Sequence, residues 1–372
     1  MAKNNLKISF CVICMNRLHQ LKITLPQNIT DNEDYEELEF IILDYNSEDG
    51  MEEWVQKNFS HYIDNGRLVY YKTNDPSSWS PSHSKNVAFK LATGDVLCSI
   101  WADYYTGKGF ANYVNKTFQD FDNIVLTPID FYNTKKNYKP AGDVLGKVCV
   151  KKSDFIKVEG FDERMDRHGF EDYDFINRLE MIGIERKLIE DFTYLNYISH
   201  GDEERHILPT DFNEMYIRYI TPSESEVLLL YDDNHFEQGV LIDNYTINSD
   251  SYLNYAAIRN SLEYTLKDNV WIAGTWKRHD DKIIISSTMG AFEMDIKKNE
   301  NSIYLTTSDF TDNFYHIISN DIIKGILTFK HFLYTQLIME DNLKNTAVVV
   351  NKGKFGKATV YKNFSSDIIY VN

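Results

Sequence analysis

The sequence predicts an α/β domain built on a mostly parallel sheet, followed by a β-rich C-terminal domain. Three observations lead there. Across the first 130 residues, short apolar runs alternate with amphipathic stretches of helical length, and strands separated by helices form parallel sheets covered on both faces. A second block, residues 124–205, adds a strand, a loop and a helix opening near Glu171. After Pro222 strand-like runs dominate, so domains are expected at 1–223 and 224–372.

Each element has its own signal. Residues 8–14 are apolar and rich in β-branched side chains, a buried strand. Residues 16–28 read as a helix with Leu18, Leu21 and Leu25 on one face. A second strand, 40–44, ends in the turn-rich stretch 45–50. A third strand covers 68–71, a helix over 83–92 closes at Gly94, and a fourth strand covers 96–100. In the second block, 148–150 reads as a strand. The helix near Glu171 carries Phe175, Ile176, Leu179 and Ile182 as one apolar stripe and stops at Gly183. Beyond the connector, strands are expected at 227–231, 283–287, 291–296 and 347–350, with a hairpin turn at 351–354 and helices at 251–265 and 321–339.

Composition narrows the function classes. The 372 residues are 43% hydrophobic and 26% charged, as in soluble globular proteins with a sizeable core. A net charge of −17 disfavours nucleic acid and anionic membrane, so no nucleic-acid partner is expected. No apolar run reaches 18 residues and no signal-peptide core precedes the first strand. A cytoplasmic location without a transmembrane segment is therefore expected, with peripheral attachment to a membrane and oligomerisation left open. Cys11, Cys14, Cys98 and Cys149 are too scattered for a disulfide framework. Cys11 and Cys14 fall in one strand, with no second pair to complete a zinc site.

In parallel sheets ligands bind beyond the carboxyl ends of the strands, where Asn16, Asp44 and Asp103 fall. A carboxylate at 103 could hold a divalent cation bridging to a diphosphate, or simply make a turn. Asp44 could accept a bond from a base or a ribose hydroxyl, with the same bland alternative. Glu171, Asp172 and Asp174 occupy the first turn of a helix, where the helix dipole favours acids. Following the small Gly169, they could equally face a cleft and supply a general base. His200, after an apolar segment, is a candidate ligand for a metal such as Mn2+, or a structural histidine.

Together these segments resemble the GT-A glycosyltransferases. Residues 41–50 (IILDYNSEDG) are similar to the nucleotide loop of the large inverting family 2. Residues 84–96 (SKNVAFKLATGDV) resemble that family's following helix, and 99–103 (SIWAD) occupy the place of its DxD motif. Residues 169–179 (GFEDYDFINRL), 197–204 (YISHGDEE) and 14–17 (CMNR) are similar to β-1,4-galactosyltransferase motifs. The resemblance implies a GT-A domain that takes a nucleotide-sugar donor, UDP-linked, and a glycan or glycolipid acceptor. By it, Asp172 would be the general base, and Glu171, Asp174 and His168 would hold the acceptor. Asn16, Arg17, Asp44 and Lys85 would touch the nucleotide, and Asp103 and His200 would bind Mn2+ or Mg2+.

Three positions depart from the pattern. Lys85 replaces an arginine, keeping the charge but losing the bidentate fork. Trp101 stands where the first acid of DxD belongs, and His168 where a galactosyltransferase tryptophan belongs. An inverting single displacement is the reading. Retaining transfer, and a non-catalytic glycan-binding protein on a decayed transferase domain, stay open beside it, the latter on the strength of Trp101.

Overall fold

The computed structural model describes residues 5–75, 78–130, 144–167, 169–199, 211–221, 224–242, 271–280, 282–288, 290–295, 314–318 and 320–372. Two compact units emerge, residues 1–200 with 334–372, and residues 201–333.

The first unit is a nine-stranded sheet. Strands β1 (Ile8–Cys14), β2 (Leu38–Tyr45), β3 (Leu68–Thr73) and β4 (Val96–Trp101) pair in parallel in the order β3-β2-β1-β4. Side chains alternate across a strand, and both faces of β1 are apolar. Ile8, Phe10, Val12 and Cys14 join one core with Leu18, Leu21 and Leu25, while Cys11 and Ile13 join another with Val87, Ala88 and Phe89. Fully burying such a Leu, Ile, Val or Phe contributes about 1.5–3 kcal/mol. The first core is covered by α1 (Leu18–Asp31), α2 (Met51–Asp64) and α4 (Phe110–Asp120), and the second by α3 (Pro81–Leu91). All four cysteines are buried and free.

Beyond β4 the sheet becomes mixed. Strands β5 (Ile124–Thr127), β6 (Cys149–Lys151) and β7 (Glu185–Leu188) follow, with helices α5 (Lys152–Lys157) and α6 (Glu171–Met181) between β6 and β7. β6 runs antiparallel between β4 and β5, and β5 is parallel to β7.

The second unit is an antiparallel meander. β8 (Phe212–Thr221), β9 (Glu224–Tyr231), β10 (His235–Ile242), β11 (Ile272–His279), β12 (Lys282–Ser287) and β13 (Gly290–Asp295) pair in succession, and β14 (Tyr315–Ile317) adds to β8. Leu228, Leu230, Phe236, Trp276, Ile283 and Ile285 form its core, and the Trp276 indole donates to the Tyr231 carbonyl at 2.9 Å.

Three sequence expectations change. The boundary expected at residue 223 is not where the chain divides, because β8 and β9 flank it and pair along their length. Residues 334–372 belong with the first sheet. Helix α7 (Asn320–Lys344) crosses the 333/334 division, and β15 (Ala358–Lys362) and β16 (Ile368–Val371) extend the β3 edge antiparallel. Residues 347–350 form no strand; the Val348 carbonyl is taken by the Arg178 side chain at 3.3 Å instead. The helix expected at 251–265 lies outside the described residues. Among the described residues, no helix is long and apolar enough to cross a membrane.

Candidate active site

Helix α6 opens after two left-handed residues, Gly169 (φ 118°) and Phe170 (φ 62°). Its first turn meets Lys85 of α3. The Lys85 ammonium donates to Asp172 Oδ1 at 2.6 Å and to Glu171 Oε1 at 3.0 Å, while Glu171 Oε2 accepts from the Gly169 amide at 3.0 Å. Lys85 is fully buried, and Asp172 keeps 8% exposure. Burial pushes the Asp172 carboxyl up to about 6; Lys85 opposes that rise and Glu171 adds to it. Burial pulls the Lys85 ammonium down, but the two carboxylates outweigh it and hold Lys85 above its ordinary value.

Aromatic rings back this triad. The Lys85 Nζ lies 5.0 Å from the centre of the Trp101 ring, at the end of β4, and 4.8 Å from that of Phe161. Trp79 approaches Trp101 at 5.3 Å between centroids. Gly146 borders the Trp101 indole so closely that a Cβ there would fall 2.2 Å from Nε1, so any larger residue would displace the ring.

Asp103 follows two residues after Trp101 and is 8% exposed. Its carbonyl accepts from the Ile198 amide at 2.9 Å, and Tyr104 bridges to Tyr197. The chain up to Ser199 therefore runs beside Asp103. His200 and His168 lie outside the described residues. Among the described residues no group of three or more His, Cys, Asp or Glu side chains could hold a metal. Asp103 supplies one hard carboxylate oxygen, a ligand type that suits Mg2+ or Mn2+.

Lys147 went unnoticed in the sequence, where nothing distinguishes it from a surface lysine. It is fully buried, and its Nζ donates to the carbonyls of Tyr105, at 2.7 Å, and Tyr194. Burial pushes its ammonium down to about 7. It fastens the segment after Asp103 to the segment before Tyr197.

The residues expected at the nucleotide separate. Asn16 is exposed and left-handed (φ 55°), with Oδ1 accepting from the Glu48 amide at 2.8 Å and its own amide donating to Ser47 Oγ at 3.0 Å. Arg17 is half-buried just before α1. Asp44 is fully buried. Its Oδ1 accepts from the Ser47 amide at 2.8 Å and its Oδ2 from the Tyr70 hydroxyl at 2.5 Å. Asp44 thus shapes the loop after β2, and both its oxygens have partners within the protein. Lys85, also expected at the nucleotide, is turned to the carboxylates of α6.

Asp174, expected at the acceptor, sits in a network of its own. It is 1% exposed, and both oxygens are occupied, Oδ2 by Arg178 Nε at 2.7 Å and Oδ1 by Asn342 Nδ2 at 2.8 Å. Asn342 also donates to Asp162 at 2.9 Å, and the buried Arg178 reaches the carbonyls of Val158 and Gly160 at 2.8 and 2.7 Å. Arg164 pairs with Asp162 at 2.6 Å. Two acids and two guanidinium groups balance, and the network ties α6 to the 158–164 loop and to α7.

Comparison with known proteins adds three findings. Residues 129–201 match the sequence model of a family described as the N-terminal domain of galactosyltransferase. That segment contains the 169–179 motif read above as galactosyltransferase-like. No curated protein matches the chain. Among solved structures, the chain is similar to the mannosyltransferase PcManGT from Pyrobaculum calidifontis in complex with GDP-Man and Mn2+, at 20% identity and a TM-score of 0.42 over 51% of this chain and 56% of that one. It is also similar to TarS 1-349 from S. aureus in complex with UDP-GlcNAc, at 16% identity and a TM-score of 0.45 over 55% and 62%. The chain spans little more than half the length of the first of these structures.

Proposed function

We propose that the protein is a glycosyltransferase that moves a sugar from a nucleotide-sugar donor, UDP-linked, to a hydroxyl of a glycan or glycolipid. The observation that carries this reading is Asp172, a slightly exposed carboxylate at the start of α6, held by Lys85 through one oxygen and pushed up to about 6 by burial. A general base works best with a pKa close to the working pH. The family match over 129–201 supports the same reading.

In the proposed reaction the acceptor hydroxyl donates to Asp172. The carboxylate takes the proton as the oxygen attacks the anomeric carbon from the face opposite the nucleotide. The bond from that carbon to the diphosphate oxygen breaks, the diphosphate leaves with the electron pair, and the configuration inverts. Glu171 braces the turn through the Gly169 amide, and the loops bearing Asn16 and Arg17 would face the nucleotide. A Mn2+ or Mg2+ bound by Asp103, with His200, would neutralise charge on the leaving diphosphate.

The experiment is acceptor-dependent release of UDP by the purified protein from a set of UDP-sugars, with and without chelator. Release that EDTA stops and Mn2+ restores is expected. Activity unchanged in chelator would remove Asp103 and His200 from the metal role. Trp101, standing where a second acid would give a second metal ligand, favours one alternative: donor that binds with no turnover on any acceptor would mark a glycan-binding protein.

A further inference from the structure

We infer that Lys85 is a positioning residue for Asp172, held against Trp101, rather than a contact to the nucleotide. This rests on the reading of Asp172 as the base. Lys85 comes from α3 and is fully buried, so its three N–H donors must be satisfied by protein. Two go to the carboxylates at 2.6 and 3.0 Å, and the rings of Trp101 and Phe161 lie at 5.0 and 4.8 Å. The aromatic faces favour the cation without competing for its proton.

Two consequences follow for the base. The bond to Oδ1 fixes the carboxylate and orients Oδ2 toward the acceptor as the proton-accepting oxygen. The positive charge also decides whether two adjacent buried acids can both ionise. Without it, one carboxyl would keep its proton at neutral pH, since like charges in a shared site raise one another's proton affinity. The charged groups facing Asp172 are Lys85 from α3 and Glu171 from its own helix. The aromatic rings beside the ammonium, Trp101 from β4 and Phe161 from the 158–164 loop, are uncharged.

The same geometry gives Trp101 a purpose. An acid at 101 would add a further negative charge near the one ammonium that serves Asp172. The aromatic ring keeps Lys85 committed to α6, and the glycine at 146 leaves room for it.

The test is the pH dependence of kcat/KM for sugar transfer in the wild type, Lys85→Met and Trp101→Asp, with donor KM measured alongside. The wild type should lose activity on acidification with a midpoint near 6. Lys85→Met should move that midpoint up by about 1–3 pH units, with donor KM little changed, and Trp101→Asp should move it in the same direction by less. If Lys85→Met does not fold, Lys85→Gln, which still donates to Asp172 but carries no charge, should show the same upward shift. A raised donor KM with an unmoved midpoint would make Lys85 a nucleotide contact and overturn the inference. Failure of the base reading looks different: Asp172→Asn would turn over normally, and the inference would fall with it.

Discussion

Two carboxylates two residues apart on α6 live in opposite circumstances. Asp174 is sealed into a charge-balanced network with Arg178, Asp162, Arg164 and Asn342, both its oxygens bonded. Asp172 shares the Lys85 ammonium with Glu171 and keeps some exposure. In sequence the two are equivalent first-turn acids. The difference teaches that acidity at a helix start says little until the partners are known: a carboxylate bonded through both oxygens holds a fold together, and one whose proton affinity burial raises holds a proton that can move.

Asp174→Asn should destabilise the first unit by about 3–5 kcal/mol, the usual consequence of leaving one partner of a buried pair uncompensated. Thermal or denaturant unfolding reads this directly, and a change below 1 kcal/mol would show that the network is not the anchor described. Asn342→Ala should cost about 1–3 kcal/mol, because it leaves buried carboxylate oxygens of Asp162 and Asp174 short of a donor. Asn342 sits on α7, so a loss there also tests whether residues 334–372 stabilise the first unit.

A smaller effect sharpens the other side. The folded-state pKa of Asp172, about 6, lies above its ordinary 3.8, so between these values the folded protein binds a proton that the unfolded chain does not. Stability from this group is fully present below about 3.8 and is lost as pH rises through 6. Relative to Asp172→Asn, the wild type should therefore lose stability between pH 4 and pH 7. Parallel stability curves for the two proteins would contradict the raised proton affinity.

Much of the scaffold was legible in the sequence. Strands β1 to β4 announce themselves as apolar runs because both faces are buried, and α6 because Phe175, Ile176 and Leu179 share a stripe. Helices α2 and α4 were not read. In α2 the buried positions are only Met51, Val55 and Phe59 among polar neighbours, too sparse to stand out. The return of residues 334–372 was hidden for another reason. The pairing of Asn363 with Tyr70, at 2.8 and 2.9 Å, joins residues nearly 300 apart, and local composition carries no trace of it. At the site, the sequence offered Glu171, Asp172 and Asp103 as candidates, but not the partners that sort them. Lys85 read as a nucleotide contact only through the family 2 resemblance, in which it replaces an arginine, and the fold turns it to α6.

The central claim is that Asp172 does chemistry while Asp174 does not, and turnover per folded molecule in Asp172→Asn tests it most directly. The substitution keeps the side chain's shape, leaves Lys85 paired with Glu171, and removes proton acceptance. A lost general base lowers the rate by about 10²–10⁴-fold. The account predicts that fall with UDP binding intact and folding at pH 7 undiminished, while the folded fraction of Asp174→Asn turns over near the wild-type rate. Near-normal turnover in Asp172→Asn, or a stable and inactive Asp174→Asn, would contradict it.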